Sequence, residues 1–255
     1  MGFLDWLRPA RAPSTPPPAP PARDPLALLA AHRRRAWVPV VEKGDGAADD
    51  SKLSGTPWLR PGESWPACGN CGRPMQLFVQ IHARDLPAGA ADPLGGRLLQ
   101  FFYCTSEEPL CEVECEAFFP GARSTLLRLA DARGSAAPPA TRPPGEFPPL
   151  RLVGWEEVDD YPGHDEDVGV ELTDAEWDAF YALDYPRPGD KWGGWPAWIQ
   201  AAEYPACPEC GREMALLFQV DSQCNRPFMF GDLGTGHITQ CPDHPERLAF
   251  GWACT

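Results

Sequence analysis

Lys191-Trp-Gly-Gly-Trp-Pro-Ala-Trp198, followed by Cys207-Pro-Glu-Cys210 and Met214-Ala-Leu-Leu-Phe-Gln-Val-Asp221, decides the fold because the chain contains this stretch twice. Lys52-Leu-Ser-Gly-Thr-Pro57 leads to Cys68-Gly-Asn-Cys71 and Met75-Gln-Leu-Phe-Val-Gln-Ile81 in the same order. A single offset of 139 aligns residues 52–81 with residues 191–220 without a gap, and 12 of the 30 positions are identical. Nine of the twelve identities fall on Lys, Gly, Pro, Cys, Met and Gln, residue types with special backbone or chemical roles. The sequence therefore predicts two tandem duplicated units.

Around each copy the chain reads as short strands. Residues 37–41, 75–81, 97–103 and 124–129 carry the β-type apolar pattern in the first half, and 151–155, 214–221, 236–240 and 248–252 carry it in the second. Thr173-Asp-Ala-Glu176 opens a helix with a capping box, in which the Thr hydroxyl and the Glu carboxylate each satisfy the other's backbone amide. The expected fold class is α+β, β-rich, with a zinc-knuckle-like Cys pair in each unit. Residues 1–36 are expected to be a Pro-rich disordered tail with a short helix, and 37–130 the first unit. Residues 131–149 form a Pro-rich connection, and 150–255 the second unit with an acidic segment and the capped helix.

The Cys pairs are the strongest chemical signal. Two thiolates separated by two residues can face one ion across a tight turn, and soft sulfur suits Zn²⁺. Cys104 lies 33 residues beyond Cys71, and Cys241 lies 31 beyond Cys210, which nominates both as third ligands. Cys241-Pro-Asp-His244 makes His244 the favoured fourth ligand of the second site, with Cys254 as its competitor. For the first site the fourth ligand is Cys111 or Cys115. Disulfides need an oxidising compartment, and no secretory signal is read at the N-terminus. A thioredoxin-type pair needs a strand-to-helix setting, whereas strands follow these pairs.

Composition narrows the partners. The net charge is −14, and residues 1–36 hold six Arg against Asp5 and Asp24, so the remainder carries −18. Such a body repels nucleic-acid backbone, and a basic protein segment is the matching charged partner. Residues 156–178 contain eleven acidic residues and no Lys or Arg. No run approaches the ~18 apolar residues that span a membrane. A cytoplasmic location is expected. Nucleophile–base constellations and phosphate-binding glycine loops do not stand out.

The motifs Lys-(Leu/Trp)-x-Gly-x-Pro, Cys-x₂-Cys-Gly-x-x-Met-x-Leu-(Phe/Leu)-x-Gln, Gly231-Asp-Leu-Gly-Thr-Gly236 and Cys241-Pro-Asp-His244 resemble the bacterial YwqG-like proteins over about residues 50–255. That resemblance implies a cytoplasmic, duplicated α+β fold and no established activity; the metal assignment rests on the Cys spacing alone. Lys191-Trp-Gly-Gly-Trp-Pro-Ala-Trp198 with its Cys pair is also similar to the eukaryotic programmed-cell-death-two-like proteins, which implies a chaperone for a ribosomal protein. The first copy departs from that turn at Ser54 and Thr56. The expected function is a zinc-stabilised protein-binding module, chaperone-like toward a basic client, with Trp192, Trp195 and Trp198 as partner anchors. The alternative is a hydrolase or transferase using a cleft between the two halves.

Overall fold

The computed structural model describes residues 23–134, 141–222 and 224–255. Of the Pro-rich tail expected over residues 1–36, residues 1–22 lie outside them, as do residues 135–140 of the expected Pro-rich connection. The first half supplies strands β1 (Arg34–Lys43), β2 (Lys52–Leu53), β3 (Gln76–His82), β4 (Leu98–Tyr103) and β5 (Thr125–Ala130). The second supplies β6 (Leu150–Asp160), β7 (Lys191–Gly193), β8 (Ala215–Asp221), β9 (Thr235–Gln240) and β10 (Leu248–Ala253). All ten join one antiparallel sheet in the order β10-β9-β8-β7-β1-β6-β2-β3-β4-β5. The two outer strands, β10 and β5, approach each other, so the sheet curls into a nearly closed barrel. The amide of Trp252 on β10 donates to the Phe118 carbonyl at 3.1 Å, which covers part of the remaining gap. Among the described residues the α-helices are few and short: α1 (Pro25–Leu28), α2 (Cys111–Glu114) and α3 (Asp174–Tyr181). The fold is thus β-rich, with less helix than an α+β reading suggests.

The barrel interior is filled by aromatic rings from both halves. Phe78 and Phe101 meet Phe228 and Phe250, with centroids 5.2 Å apart for Phe78–Phe228 and 4.3 Å for Phe101–Phe250. Tilted and edge-to-face pairs of this kind add to simple area burial. The buried faces run to both sides of β3 and β4, whose residues are almost all inaccessible. A bulge between Leu77 and Val79 shifts the β3–β4 register, and a second lies between Leu216 and Phe218 in β8–β9. Bulges bend a strand and increase its twist, which a closing barrel requires.

The central strands explain why β1 is long. It pairs with β6 along its whole length, from Arg34–Asp160 to Lys43–Leu150. On its other side β7 reaches only Ala36 and Trp37. Pro39, which cannot donate a ladder hydrogen bond, sits just beyond that contact, where β1 has one neighbour.

The Gln that ends each sequence motif ties a strand to the preceding turn. Gln219 Oε1 accepts from the Ala197 amide at 2.8 Å, and its Nε2 donates to the carbonyls of Gly189 (2.8 Å) and Arg187 (3.4 Å). In the first half Gln80 Oε1 accepts from the Trp58 amide at 2.9 Å, and its Nε2 donates to Ala48 and Asp50 at 2.9 and 2.8 Å. Both amides are fully buried. Gln219→Leu is expected to cost about 3 kcal/mol, because it strands a buried amide and buried carbonyls. Gln80→Leu should cost a similar amount. Urea titrations check both; a loss under ~0.5 kcal/mol for either would show that these bonds are dispensable.

Helix α3 is capped as its sequence requires. Thr173 Oγ1 accepts from the Glu176 amide at 3.4 Å and Glu176 Oε2 accepts from the Thr173 amide at 2.8 Å. The helix buries Phe180 against Leu29, Tyr161 and Tyr185, which fastens α1 to the acidic segment.

Candidate metal centres

Each Cys pair lies in a turn locked by the same backbone bonds. The Cys68 amide donates to the Arg73 carbonyl at 2.8 Å, and the Gly72 amide returns to the Cys68 carbonyl at 2.9 Å. The Cys207 amide donates to Arg212 at 2.8 Å, and Gly211 returns to Cys207 at 2.8 Å. Gly72 and Gly211 have φ of +70° and +71°, a left-handed conformation that glycine adopts without Cβ strain. Met75 and Met214 bury their side chains directly after the turns, so each knuckle is anchored to the strand that follows it.

The remaining candidates come from strand ends. Cys104 directly follows β4 and Cys241 directly follows β9, hence their similar spacing from the knuckles. The fourth positions differ in kind. Cys111 is the first residue of α2 and is fully buried. His244 belongs to a turn closed by the Arg247 amide donating to the His244 carbonyl at 2.8 Å.

Cys68, Cys71, Cys104 and Cys111 present their sulfur atoms within 4.8 Å of one another, as do the ligand atoms of Cys207, Cys210, Cys241 and His244. Individual edges are 3.8 Å for Cys68–Cys111 and 3.7 Å for Cys71–Cys104. In the second group they are 3.6 Å for Cys210–Cys241 and 3.8 and 3.7 Å from His244 Nδ1 to Cys207 and Cys241. A tetrahedron with metal–sulfur bonds of about 2.3 Å has edges of roughly 3.8 Å. Disulfide sulfurs lie at about 2.05 Å, so these thiols are spaced for an ion and not for each other. Both groups could hold a metal ion. Cys115 is not a member of the first group, nor Cys254 of the second. The Cys224 thiol is pushed up by burial and belongs to neither.

Local electrostatics favour thiolate at one Cys of each pair. Burial opposes charge at Cys207, but amide hydrogen bonds from Glu209 and Cys210 and the neighbouring thiols outweigh it and bring the thiol to about 6. Burial likewise opposes charge at Cys71, and the Arg73 amide with the other thiols brings it to about 7. Cys111 is pushed up to about 11 by burial. Supporting contacts escaped the sequence reading. The Asn70 amide donates to Cys68 Sγ, and its side-chain Nδ2 to Cys111 Sγ, both at 3.4 Å. Glu209 Oε2 lies 3.4 Å from His244 Nε2, leaving Nδ1 to face the sulfurs. A carboxylate behind a ligating imidazole fixes the ring's tautomer and orientation. The signal for Asn70 and Glu209 was their place inside the two knuckles.

The three tryptophans have different fates. Trp192 and Trp195 are buried, 4% and 6% exposed, so neither presents the surface expected of a partner anchor. Trp192 packs beside Trp155 in the core, and Trp195 donates from its indole to the His32 carbonyl at 2.8 Å. The guanidinium of Arg34 lies over the Trp195 ring at 3.2 Å. Trp198 is half-buried, donates to Glu166 Oε1 at 2.8 Å, and packs on His237 and Tyr204.

The acidic segment is partly covered by the chain's own basic stretch. Arg33 pairs with Asp159 at 3.2 Å, Arg35 with Glu157 at 3.4 Å, and Arg23 with Glu176 at 2.8 Å. The Glu176 carboxyl is held down at about 2 by its bond with Arg23 and by the Thr173 amide. No helix among the described residues is long and apolar enough to cross a membrane.

Residues 51–250 match the family described as a domain of unknown function, DUF1963. No curated protein matches the chain.

Proposed function

We propose, from the premise that the chain belongs to the DUF1963 family, that it is a zinc-stabilised protein-binding module that captures a basic segment of a client protein. Zinc is the metal best suited to these two donor sets, one of four thiolates and one of three thiolates and an imidazole. Four protein ligands close a tetrahedral site and leave no position for substrate, which is the pattern of a structural ion. The proposal includes a duplicated origin for the two halves, supported by the matching Lys–Gly–Cys–Met–Gln positions, and a cytoplasmic setting. The resemblances to the YwqG-like and programmed-cell-death-two-like proteins belong to the same proposal.

The observation that carries the client reading is the cover of Arg33 and Arg35 on Asp159 and Glu157. This surface accepts guanidinium groups within the chain itself. Asp167, Glu171, Asp174 and Asp178 continue the acidic segment and are exposed. Charge attraction between exposed groups reaches about 8 Å at physiological ionic strength and shrinks as salt rises. The test is capture by the full chain at rising salt, followed by identification of the bound protein. A basic partner released by salt is expected, with association slowed about tenfold when those four acids become Asn or Gln. An acidic partner, or capture indifferent to salt, would overturn the reading. The alternative of a hydrolase or transferase in a cleft between the halves draws less support: His237, in the cavity at that seam, has no hydrogen-bond partner on Nε2.

A further inference from the structure

A cavity of about 240 Å³ opens where the segment around Phe118 meets the second half of the barrel. Phe118, Trp198, Tyr204 and Trp252 give it aromatic walls. A further wall is the face of β9 opposite the core residue Ile238, which carries His237 and Thr239, and the exposed Glu203 also lines the cavity. Those two polar residues are 5% and 1% exposed, and His237 Nε2 and Thr239 Oγ1 have no hydrogen-bond partner. Buried polar atoms are nearly always paired, because each unpaired one costs about 1–3 kcal/mol. Two such atoms, two residues apart on one strand and both in the wall of one cavity, point to a ligand that supplies hydrogen bonds.

The setting restricts that ligand. The Ala197 backbone engages the His237 ring, while burial and the nearby Lys191 charge push the imidazole down to about 3. The ring is therefore neutral, and Nε2 is available as an acceptor. Walls of Phe, Trp and Tyr favour a flat ring, which stacks edge-to-face or offset. The volume lies below the ~300 Å³ at which pockets for whole drug-sized molecules begin. It suits a one- or two-ring group. A shallower trough continues past Phe118, Phe119, Gln200 and Cys254, with room for the chain that such a group would belong to. Phe119 stands at this mouth with 55% of its surface exposed.

We infer that this cavity seats an aromatic side chain with a ring N–H or O–H donor, Trp or Tyr, from a bound protein segment. The inference rests on the protein-binding reading and gives the partner its anchor. Trp and Tyr dominate binding energetics when seated in such pockets. Both atoms are shielded from the open cavity, so seating the donor on Nε2 or Oγ1 requires a side-chain adjustment of the kind common at interfaces. This anchor takes the part that the buried Trp192 and Trp195 cannot play.

The test uses the full, metal-loaded chain titrated by calorimetry or ligand-observed NMR with three probes: N-acetyltryptophanamide, indole and benzofuran, which lacks the donor. N-acetyltryptophanamide and indole are expected to bind, and benzofuran at least tenfold more weakly. Thr239→Val, nearly isosteric, and His237→Phe should each weaken indole about tenfold, with unchanged metal content showing that the fold persists. No binding by any probe at millimolar concentration would overturn the inference. So would equal affinity for benzofuran and indole. Indole binding without N-acetyltryptophanamide binding would assign the cavity to a free small molecule and overturn the side-chain assignment. Capture of a basic client by Thr239→Val at undiminished affinity would overturn this anchor while leaving the proposed function standing.

Discussion

Asp160→Ala is expected to lower the unfolding free energy by about 3–5 kcal/mol, the range seen when one partner of a buried ion pair is removed. Both Asp160 and Lys191 have no exposed side-chain surface, and Lys191 Nζ lies 2.8 Å from Asp160 Oδ2. The carboxylate does more than balance charge. Oδ2 also accepts from the Trp195 amide at 2.9 Å, and Oδ1 from the amides of Tyr161 and Arg187 at 3.0 and 2.8 Å. Burial already pushes the Lys191 ammonium down, and the Asp160 charge is the main force holding it protonated. Removing that charge leaves a buried amine with no counter-ion and three amides without an acceptor. Asp160→Asn combined with Lys191→Met removes both charges and retains an acceptor, so it should recover part of the loss. Guanidinium unfolding of the three proteins checks this. A loss below ~1 kcal/mol for Asp160→Ala would mean that water replaces the carboxylate and that the site is less closed than its geometry indicates. Gly194 belongs to the same arrangement: a Cβ there would come within 2.4 Å of Asp160 Oδ2, and its φ is +74°.

Cys207→Ser is expected to empty the second metal centre and to lower thermal stability. Ligand binding energy in small structural zinc sites is about 10–16 kcal/mol and is coupled to folding. Only part of that appears here, because Met214, Ala249 and the barrel core hold the knuckle independently. Elemental analysis of the protein purified without chelator should give about two zinc ions per chain, and about one for Cys207→Ser. Cys68→Ser should give the complementary result. Cys115→Ser and Cys254→Ser should leave the metal content unchanged, since neither sulfur joins a group. Wild-type protein without zinc would refute the assignment of both centres. Retention of both ions by Cys207→Ser would refute the ligand set of the second.

Residue types with few structural substitutes were the most legible in the sequence. Gly72 and Gly211, the Cys pairs and the paired Gln residues occupy turns and buried contacts that other side chains fill poorly, so they stood out in the repeat. Partners contributed from distant strands were not legible. Lys52 finds its carboxylate in Asp45, seven residues away, at 2.8 Å. The same offset of 139 points to Asp184, yet Lys191 takes Asp160 from β6. The choice between Cys111 and Cys115 was equally hidden, because it depends on where α2 begins. The tryptophans misled for a physical reason. A Trp-Gly-Gly-Trp-Pro-Ala-Trp sequence looks like an exposed aromatic turn, but β7 carries Trp192 into the core, and Trp195 is covered by the Arg34 guanidinium and bonded to the His32 carbonyl.

The long β1–β6 ladder also bears on how the chain matures. Strand β1 ends at Lys43 and β6 begins at Leu150, so more than 100 residues must be made before β1 meets its partner. At synthesis rates of about 5–20 residues per second, β1, with an apolar run only over residues 36–41, waits for β6 for roughly 5–20 s. The β3-β4-β5 meander can form in that interval from local contacts, and the four thiols of the first centre lie within residues 68–111. The β8-β9-β10 meander is equally local, but closure must wait for it, because β10 is the last strand made and its neighbour across the gap is β5. Barrel closure is therefore a late, high-contact-order event. A metal ion taken up by the first centre in that interval would be in place before the barrel closes.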